Sequence, residues 1–428
     1  MERISMTWQR VRSLASGGFA ATLLWSVAPM ELFAQDAPPT KTAVANHPLS
    51  LAECLQIAYD QQPTLAAQRA TLASANTRSA ALQKLPFRGI IIARDLPVRR
   101  EQACLGIHIA EASLNQAEWE TVYAVTRTYY GVIYARQQLR TAHDVVESLK
   151  FYHDRVADLV KSGSSRNLTT STLDKIDLYL RLAQTKQAEA TRGIGRATAA
   201  LREAMGLGLD YPLTIPEIQL PAPGGKYDKD EIVKLALARR GELIEASTVA
   251  EVINLEVQAQ DKTCMPTART FAAVSDIHER QVPQGYSNGE YRPGATGIDM
   301  PTELAGPRSL RVDRARDLSA RASAVVDKTR NLIALEAEDM YFKWEEASRK
   351  LAETQGAASA GARLSKNTRD DFVASQNVSI NDILTNEVLA GQAQGNYNET
   401  LYQLITALAG LQRVTAGGID PGLAPVPH

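Results

Sequence analysis

An internal repeat constrains the fold of this chain more than any other feature. The stretch Leu49–Phe87 (LSLAECLQIAYDQQPTLAAQRATLASANTRSAALQKLPF) returns as Glu231–Pro266 (EIVKLALARRGELIEASTVAEVINLEVQAQDKTCMP). At an offset of 178, Glu53 falls on Glu231, Ile57 on Leu235, Ala58 on Ala236, Tyr59 on Leu237 and Leu65 on Leu243. Pro86 and Pro266 close the two copies within two residues of the same place. Further along, Ala200-Leu201 matches Gly410-Leu411 at an offset of 210. A period this long marks a duplicated domain half, not a short solenoid unit.

Each copy reads as helix, extended excursion, very long helix, tight turn, long helix. In the first copy a helix covers about 51–84, with Pro63 marking a break or kink. The longest helix follows, over about 101–161. Its apolar residues Val122, Val125, Tyr129, Val132, Leu139, Val146, Leu149, Val156 and Val160 step by three, four and seven, with Arg136 and His153 interrupting. That 3.5-residue period is the pattern of coiled-coil packing. About 60 residues at 1.5 Å rise give a rod of roughly 90 Å, which must lie against other long helices. Ser162-Gly163-Ser164-Ser165 breaks it, and a helix over 169–205 returns antiparallel and stops at Gly206. The second copy places helices at about 228–262, 312–366 and 379–414. Gly193-Ile194-Gly195, inside a helical pattern, reads as a place where two helices approach closely.

The excursions differ. Residues 266–311 hold nearly all the β potential, in Thr267–Val274 and around Ile298–Leu304. Residues 87–100 offer only Ile90-Ile91-Ile92. A membrane strand needs about 9–11 residues, so the second excursion has room for a membrane hairpin and the first does not. The two offsets differ by 32 residues, which measures the same shortfall.

Residues 1–34 read as an export signal. Arg3, Arg10 and Arg12 precede an apolar run from Gly17 to Val27, with Ala34 before the expected cut. The organisation is then a flexible leader (35–48), a first repeat (49–207), a linker (208–227), a second repeat (228–415) and a disordered tail (416–428). With 47 basic and 48 acidic residues the net charge is −1, and no basic run points to nucleic acid. None of the six histidines pairs with another His or a Cys at metal spacing. No catalytic constellation, metal site or cofactor motif appears, so the chain reads as no enzyme. The cysteines, Cys54, Cys104 and Cys264, form no CxxC pair and read as buried small side chains. Trp119, Tyr123, Tyr129, Tyr130, Tyr341 and Trp344 read as packing midway along the long helices.

Over about residues 49–415 the pattern resembles the outer-membrane efflux proteins, the TolC-like family. LSLAECLQIAYDQQPTLAAQR is similar to the family's opening helix, with Cys54 in place of an alanine. LREAMGL at 201–207 is similar to the end of its first repeat, GIDMPTELAGPRSLRVDRARDLSA at 297–320 to its return strand, and SINDILTNEVLAGQAQGNYNETLYQLITALAGLQRVTAG to its last helix. The resemblance implies a mainly α fold: a duplicated long-helix coiled coil closed into an α-helical barrel or tunnel, with a small β-strand region. It implies a homotrimer in the outer membrane, mostly periplasmic, docked on a periplasmic adaptor and an inner-membrane pump for efflux or type I secretion. It also implies adaptor contacts at two hairpin tips, Gly163, Ser164 and Ser165, and Gln376, Asn377 and Val378. Gln376 stands where the family has its turn glycine. Near the second tip, Asp370, Asp371 and Asp382 would recur around a threefold axis as an acidic aperture, or sit as solvated carboxylates near a helix N-terminus that Ser379 caps. The alternative function is a periplasmic structural or interaction coiled coil derived from this family without a pore.

Overall fold

A computed structural model describes residues 47–85, 93–162, 169–208, 210–271, 274–275, 298–375 and 379–423. The export signal, most of the leader, Ile90–Ile92 and all six tip residues (Gly163, Ser164, Ser165, Gln376, Asn377 and Val378) lie outside the described residues.

The first repeat contributes α1 (Leu51–Gln61), α2 (Pro63–Gln83), α3 (Leu96–Lys161) and α4 (Thr170–Ala204). The second contributes α5 (Lys229–Arg239), α6 (Gly241–Lys262), β1 (Thr267–Arg269), β2 (Val274–Ser275), β3 (Ile298–Asp299), β4 (Glu303–Ala305), α7 (Arg308–Ser375) and α8 (Ile380–Val414). α3 has 66 residues and α7 has 68, so each rod is about 100 Å long.

Local sequence sets the ends of these helices. Ser50 and Glu53 form a capping box at α1: Ser50 Oγ accepts from the Glu53 N–H, and the Ser50 N–H donates to Glu53 Oε2 at 2.8 Å. Thr169 and Thr172 do the same at α4. Pro63 pushes Gln62 into extended backbone (φ −66°, ψ 117°) and separates α1 from α2. The sequence predicts one helix over 228–262, yet Arg240, at the repeat position of Gln62, takes φ −66° and ψ 122° and divides it. No proline imposes that break. Gly241 sits so close to α3 that a Cβ there would lie 2.4 Å from the Ala112 carbonyl oxygen, and the Arg240 side chain is drawn into a buried charge cluster.

The helices form one layer, four wide. Over the half nearer the helical-hairpin turns the order is α4–α3–α8–α7, and over the half nearer the strands it is α2–α3–α6–α7. α1 lies on α3 and α5 on α7. The first half is cored by Val146, Leu149, Tyr152, Val156, Ile176, Phe372 and Ile383. The middle is cored by Val122, Val125, Tyr129 and Ile133 with α1 and the connector residues Ile215 and Leu220. Arg136, an interruption of the heptad pattern, reaches across to donate to the Ile215 carbonyl at 2.8 Å and pins that connector.

The strands make two antiparallel pairs, β2–β3 nested within β1–β4 along the chain. β1 pairs with β4 (Thr267 with Ala305, Arg269 with Glu303), and β2 with β3 (Val274 with Asp299), one residue out of register with the first pairing. Twelve residues, 84–95, separate α2 from α3, against 45, 263–307, between α6 and α7.

Three expectations are corrected. Residues 416–423 are not a loose tail. Positive φ at Ala416 and Gly417 turns the chain back, Ala416 and Pro421 are buried, and Ile419 and Leu423 pack on the core. Cys54 is buried, but Cys104 and Cys264 are exposed. Among the described residues a Cβ at Gly193 or Gly195 would meet nothing within 4 Å, so no described helix packs closely there.

Candidate functional site

Asp370 and Asp371 lie near the end of α7 and Asp382 in the first turn of α8, all exposed. The facing surfaces of these two helix ends are zipped together beneath them. Asn386 donates to Thr368 at 3.0 Å, Ser365 donates to Glu387 at 2.8 Å, and Phe372 and Ile383 share a core with Tyr152. The three aspartates therefore belong to one end of one helical hairpin and project from it. Ser379 occupies the N-cap position of α8 without the expected side-chain hydrogen bond; the first-turn partner it keeps is its own carbonyl, which accepts from the Asp382 N–H at 3.0 Å. Beneath this end, Glu387 is 3% exposed and also accepts from the Tyr152 hydroxyl at 3.4 Å. Burial, and then the Glu387 charge, push the Tyr152 phenol well above its ordinary value.

The midway aromatics are packing. Tyr129 and Tyr130 are buried edge to face at 5.4 Å, Tyr341 and Trp344 close the core over Tyr227, and Trp119 fills the space over Gly417. Arg413 stacks 5.0 Å over Tyr123.

Two buried charge clusters went unforeseen. At the α5–α6 break, Arg240 is 0% exposed. Its Nε donates to Glu242 at 2.9 Å, and its Nη2 lies 3.2 Å from Glu336 of α7 and 3.6 Å from Glu120 of α3. Arg413 of α8 bridges the same two acids, Glu120 at 2.6 Å and Glu336. Burial outweighs the acids for Arg240, whose pKa is lowered, whereas Glu336 and Glu120 outweigh burial for Arg413, whose pKa is raised. An arginine stays charged through either shift, so the cluster is held by attraction that offsets desolvation. The first repeat solves the same junction without charge: Gln62 donates to the Glu203 and Ala204 carbonyls at 3.2 and 3.0 Å.

The second cluster roots the strand hairpin. Glu256 of α6 is 1% exposed. It is held bidentate by Arg99, accepts from Gln102 at 3.1 Å and Gln260 at 2.8 Å, and receives the Phe271 N–H at 3.2 Å. Arg311, equally buried, donates to Gln260 and to the Gly306 and Thr263 carbonyls, which flank the hairpin. Two signals in the sequence mark these clusters. Arg240 stands where the repeat has an amide, and Glu256 and Gln260 fall on the apolar stripe of Val249, Val252 and Ile253.

Between the end of α2, the start of α3 and β1 lies a cleft of about 340 Å³, walled by Arg78, Arg99, Arg269, Asp95, Thr270 and Phe271. Among the described residues no three His, Cys, Asp or Glu side chains come together as a metal site.

No protein-family model matches the sequence, and no curated protein matches it. Solved structures do match in shape. The outer-membrane channel OprN superposes with a TM-score of 0.68 at 13% identity, over 86% of this chain and 90% of that one. The Campylobacter jejuni outer-membrane channel CmeC gives 0.69 at 12%, over 87% and 86%, and the Vibrio cholerae outer-membrane protein VceC gives 0.67 at 13%, over 86% and 97%. At this identity the likeness establishes architecture: the chain has the TolC-like fold of the outer-membrane efflux channels.

Proposed function

We propose that this chain is the outer-membrane channel component of a tripartite efflux or type I secretion system. It is exported by its N-terminal signal, and three copies close into a periplasmic tunnel that docks on an adaptor and an inner-membrane pump. One observation carries the reading: the four-helix layer leaves apolar side chains exposed along both of its edges. Leu178 and Leu182 on α4 are 56% and 58% exposed, and Phe342, Leu364 and Val373 are exposed on α7. Covering a large apolar side chain is worth about 1.5–3 kcal/mol, and unlike edges packed head to tail generate a ring when the rotation closes. The covered face is then α4 of one copy against α7 of the next.

In this arrangement the tips Gly163–Ser165 and Gln376–Val378 meet the adaptor, and Asp370, Asp371 and Asp382 ring the aperture. Changing each of the three to Asn lowers cation selectivity if they do so; unchanged selectivity refutes the ring. The chain has no catalytic role in this reading. The rival reading, a pore-less periplasmic coiled coil, is favoured by one observation, the twelve-residue connection between α2 and α3. Membrane fractionation and the mass of the detergent-extracted particle separate the two. Three copies in the outer membrane support the channel, and a soluble periplasmic monomer refutes it.

A further inference from the structure

Among the described residues, the cleft at the hairpin root carries more positive charge than its ion pairs take up. Arg99 is spoken for by Glu256 and by Asp95, whose Oδ2 accepts from Arg99 Nε at 3.0 Å. Arg78 and Arg269 line the same cleft, and among the described residues neither has an acidic partner within ion-pair distance. The Arg78 guanidinium carbon sits over the Phe271 ring, 3.7 Å from its centroid, and the ring holds the charge at the cleft wall. The Arg269 carbonyl is taken by Arg99 Nη2 at 2.7 Å, which fixes the backbone and leaves the side chain exposed. Burial first, and then the neighbouring Arg99, lower the Arg78 pKa. The positive end of α3 opens here too, and Asp95 at its N-cap makes no capping bond.

A separate observation says what kind of anion fits. Three large apolar side chains stand exposed at this same end of the body: Leu85 after α2 (45%), Met265 before β1 (65%) and Leu310 at the start of α7 (62%). Leu85 is tied to the cleft's rim through its carbonyl, which accepts from Arg100 at 2.9 Å. A free anion has no use for exposed apolar neighbours. A molecule with a charged head and a hydrocarbon body uses both.

We propose that the cleft is a binding site for the phosphate of an anionic phospholipid. Arg78 and Arg269 grip the phosphodiester, and Leu85, Met265 and Leu310 lie along the acyl chains. The site fastens the helical body to the inner face of the membrane that the hairpin enters, and in that respect it rests on the channel reading. It also supplies an anchor beside the first repeat's short connection, twelve residues from 84 to 95, since α2, α3 and β1 all line it.

The test is binding to the full-length protein in neutral detergent, measured by native mass spectrometry with three probes: short-chain phosphatidylglycerol, short-chain phosphatidylcholine and inorganic phosphate. Phosphatidylglycerol is expected to bind more tightly than phosphatidylcholine, and phosphate not to displace it at matched concentration. Arg78→Gln and Arg269→Gln are each expected to weaken phosphatidylglycerol binding about five-fold, and the pair about 25-fold. Equal binding of the two lipids, or an unchanged affinity in the double variant, overturns the proposal. Displacement by phosphate makes this a free-anion site and also overturns it. If the double variant unfolds, Leu85→Ser with Met265→Ser takes its place; weakened lipid binding supports the proposal and unchanged lipid binding refutes it. Detergent binding requires no pore, so a failure here leaves the channel reading intact. Loss of conductance with lipid binding preserved is failure of the channel reading alone.

Discussion

Replacing Arg240 with methionine tests how the second repeat is held together. Arg240 and Arg413 face Glu120, Glu242 and Glu336, a cluster of net charge −1 joining α3, the α5–α6 break, α7 and α8. Methionine fills much of the volume but leaves the cluster at −2. Removing one member of a buried ion pair costs about 3–5 kcal/mol, because the remaining charges stay buried. Arg240 sits at the low end of that range, since the acids it leaves are only partly buried (Glu336 15%, Glu242 20% and Glu120 43% exposed) and neither Nη makes a hydrogen bond of good geometry among the described residues. The expected loss for Arg240→Met is therefore about 3 kcal/mol. Glu336→Gln alone is expected to cost a similar amount, by depriving Arg240 and Arg413 together. The double variant restores −1, so its loss falls well short of the sum, with a coupling of about 2 kcal/mol. Denaturant unfolding followed by far-UV circular dichroism reads all four proteins. Strict additivity, or a single variant within a few tenths of a kcal/mol of wild type, refutes the idea that charge balance holds this junction.

Three further outcomes follow from named contacts. Gly206 ends α4 in a Schellman turn at φ +71°, and a Cβ there would lie 2.6 Å from the Gln61 carbonyl oxygen. Gly206→Ala should thus cost about 2–4 kcal/mol in the same unfolding assay. Ala416, its counterpart in the second repeat, already holds φ +44°; Ala416→Gly relieves strain but loses a buried methyl, so its stability should change by less than about 1 kcal/mol. The hydrogen bond from His47, then those from Ser50, lower the Glu53 pKa to about 2. A depressed carboxylate stabilises the fold above its unfolded pKa and loses that contribution as pH falls through its folded one. Hydrogen exchange over the first turn of α1 should therefore quicken as pH drops from about 4.5 toward 2; His47→Ala should remove more of that dependence than Ser50→Ala, which loses only the hydroxyl's bond and costs about 1 kcal/mol at neutral pH.

Much of the architecture was legible because duplication and helix periodicity are properties of sequence spacing. The Pro63 break, the antiparallel return after Lys161 and the position of the strands follow from residue types whose backbone preferences are strong. The Arg240 break was not legible, because it depends on a tertiary approach: Gly241 against Ala112, and an arginine finding acids from three other helices. Likewise, a Gly/Pro-rich tail reads as unfolded until Trp119 and the core offer Gly417, Ile419 and Leu423 a place to pack. Ser379 has the composition of a cap but not the side-chain bond. Glu256 shows the opposite case, a polar residue on an apolar stripe whose meaning appears only when Arg99, 157 residues away, meets it. The aspartates of the proposed aperture were found by position near the second turn; in the proposed trimer, what they face would be set by the neighbouring copies.

Whether the assembled layers enclose a path through a membrane is measured most directly by single-channel recording. Purified full-length protein added to a planar lipid bilayer should give discrete, long-lived conductance steps, and those steps should change in cation selectivity when Asp370, Asp371 and Asp382 become Asn. Protein that inserts into or binds the bilayer yet passes no current at any voltage contradicts the channel account and leaves the pore-less coiled coil in its place.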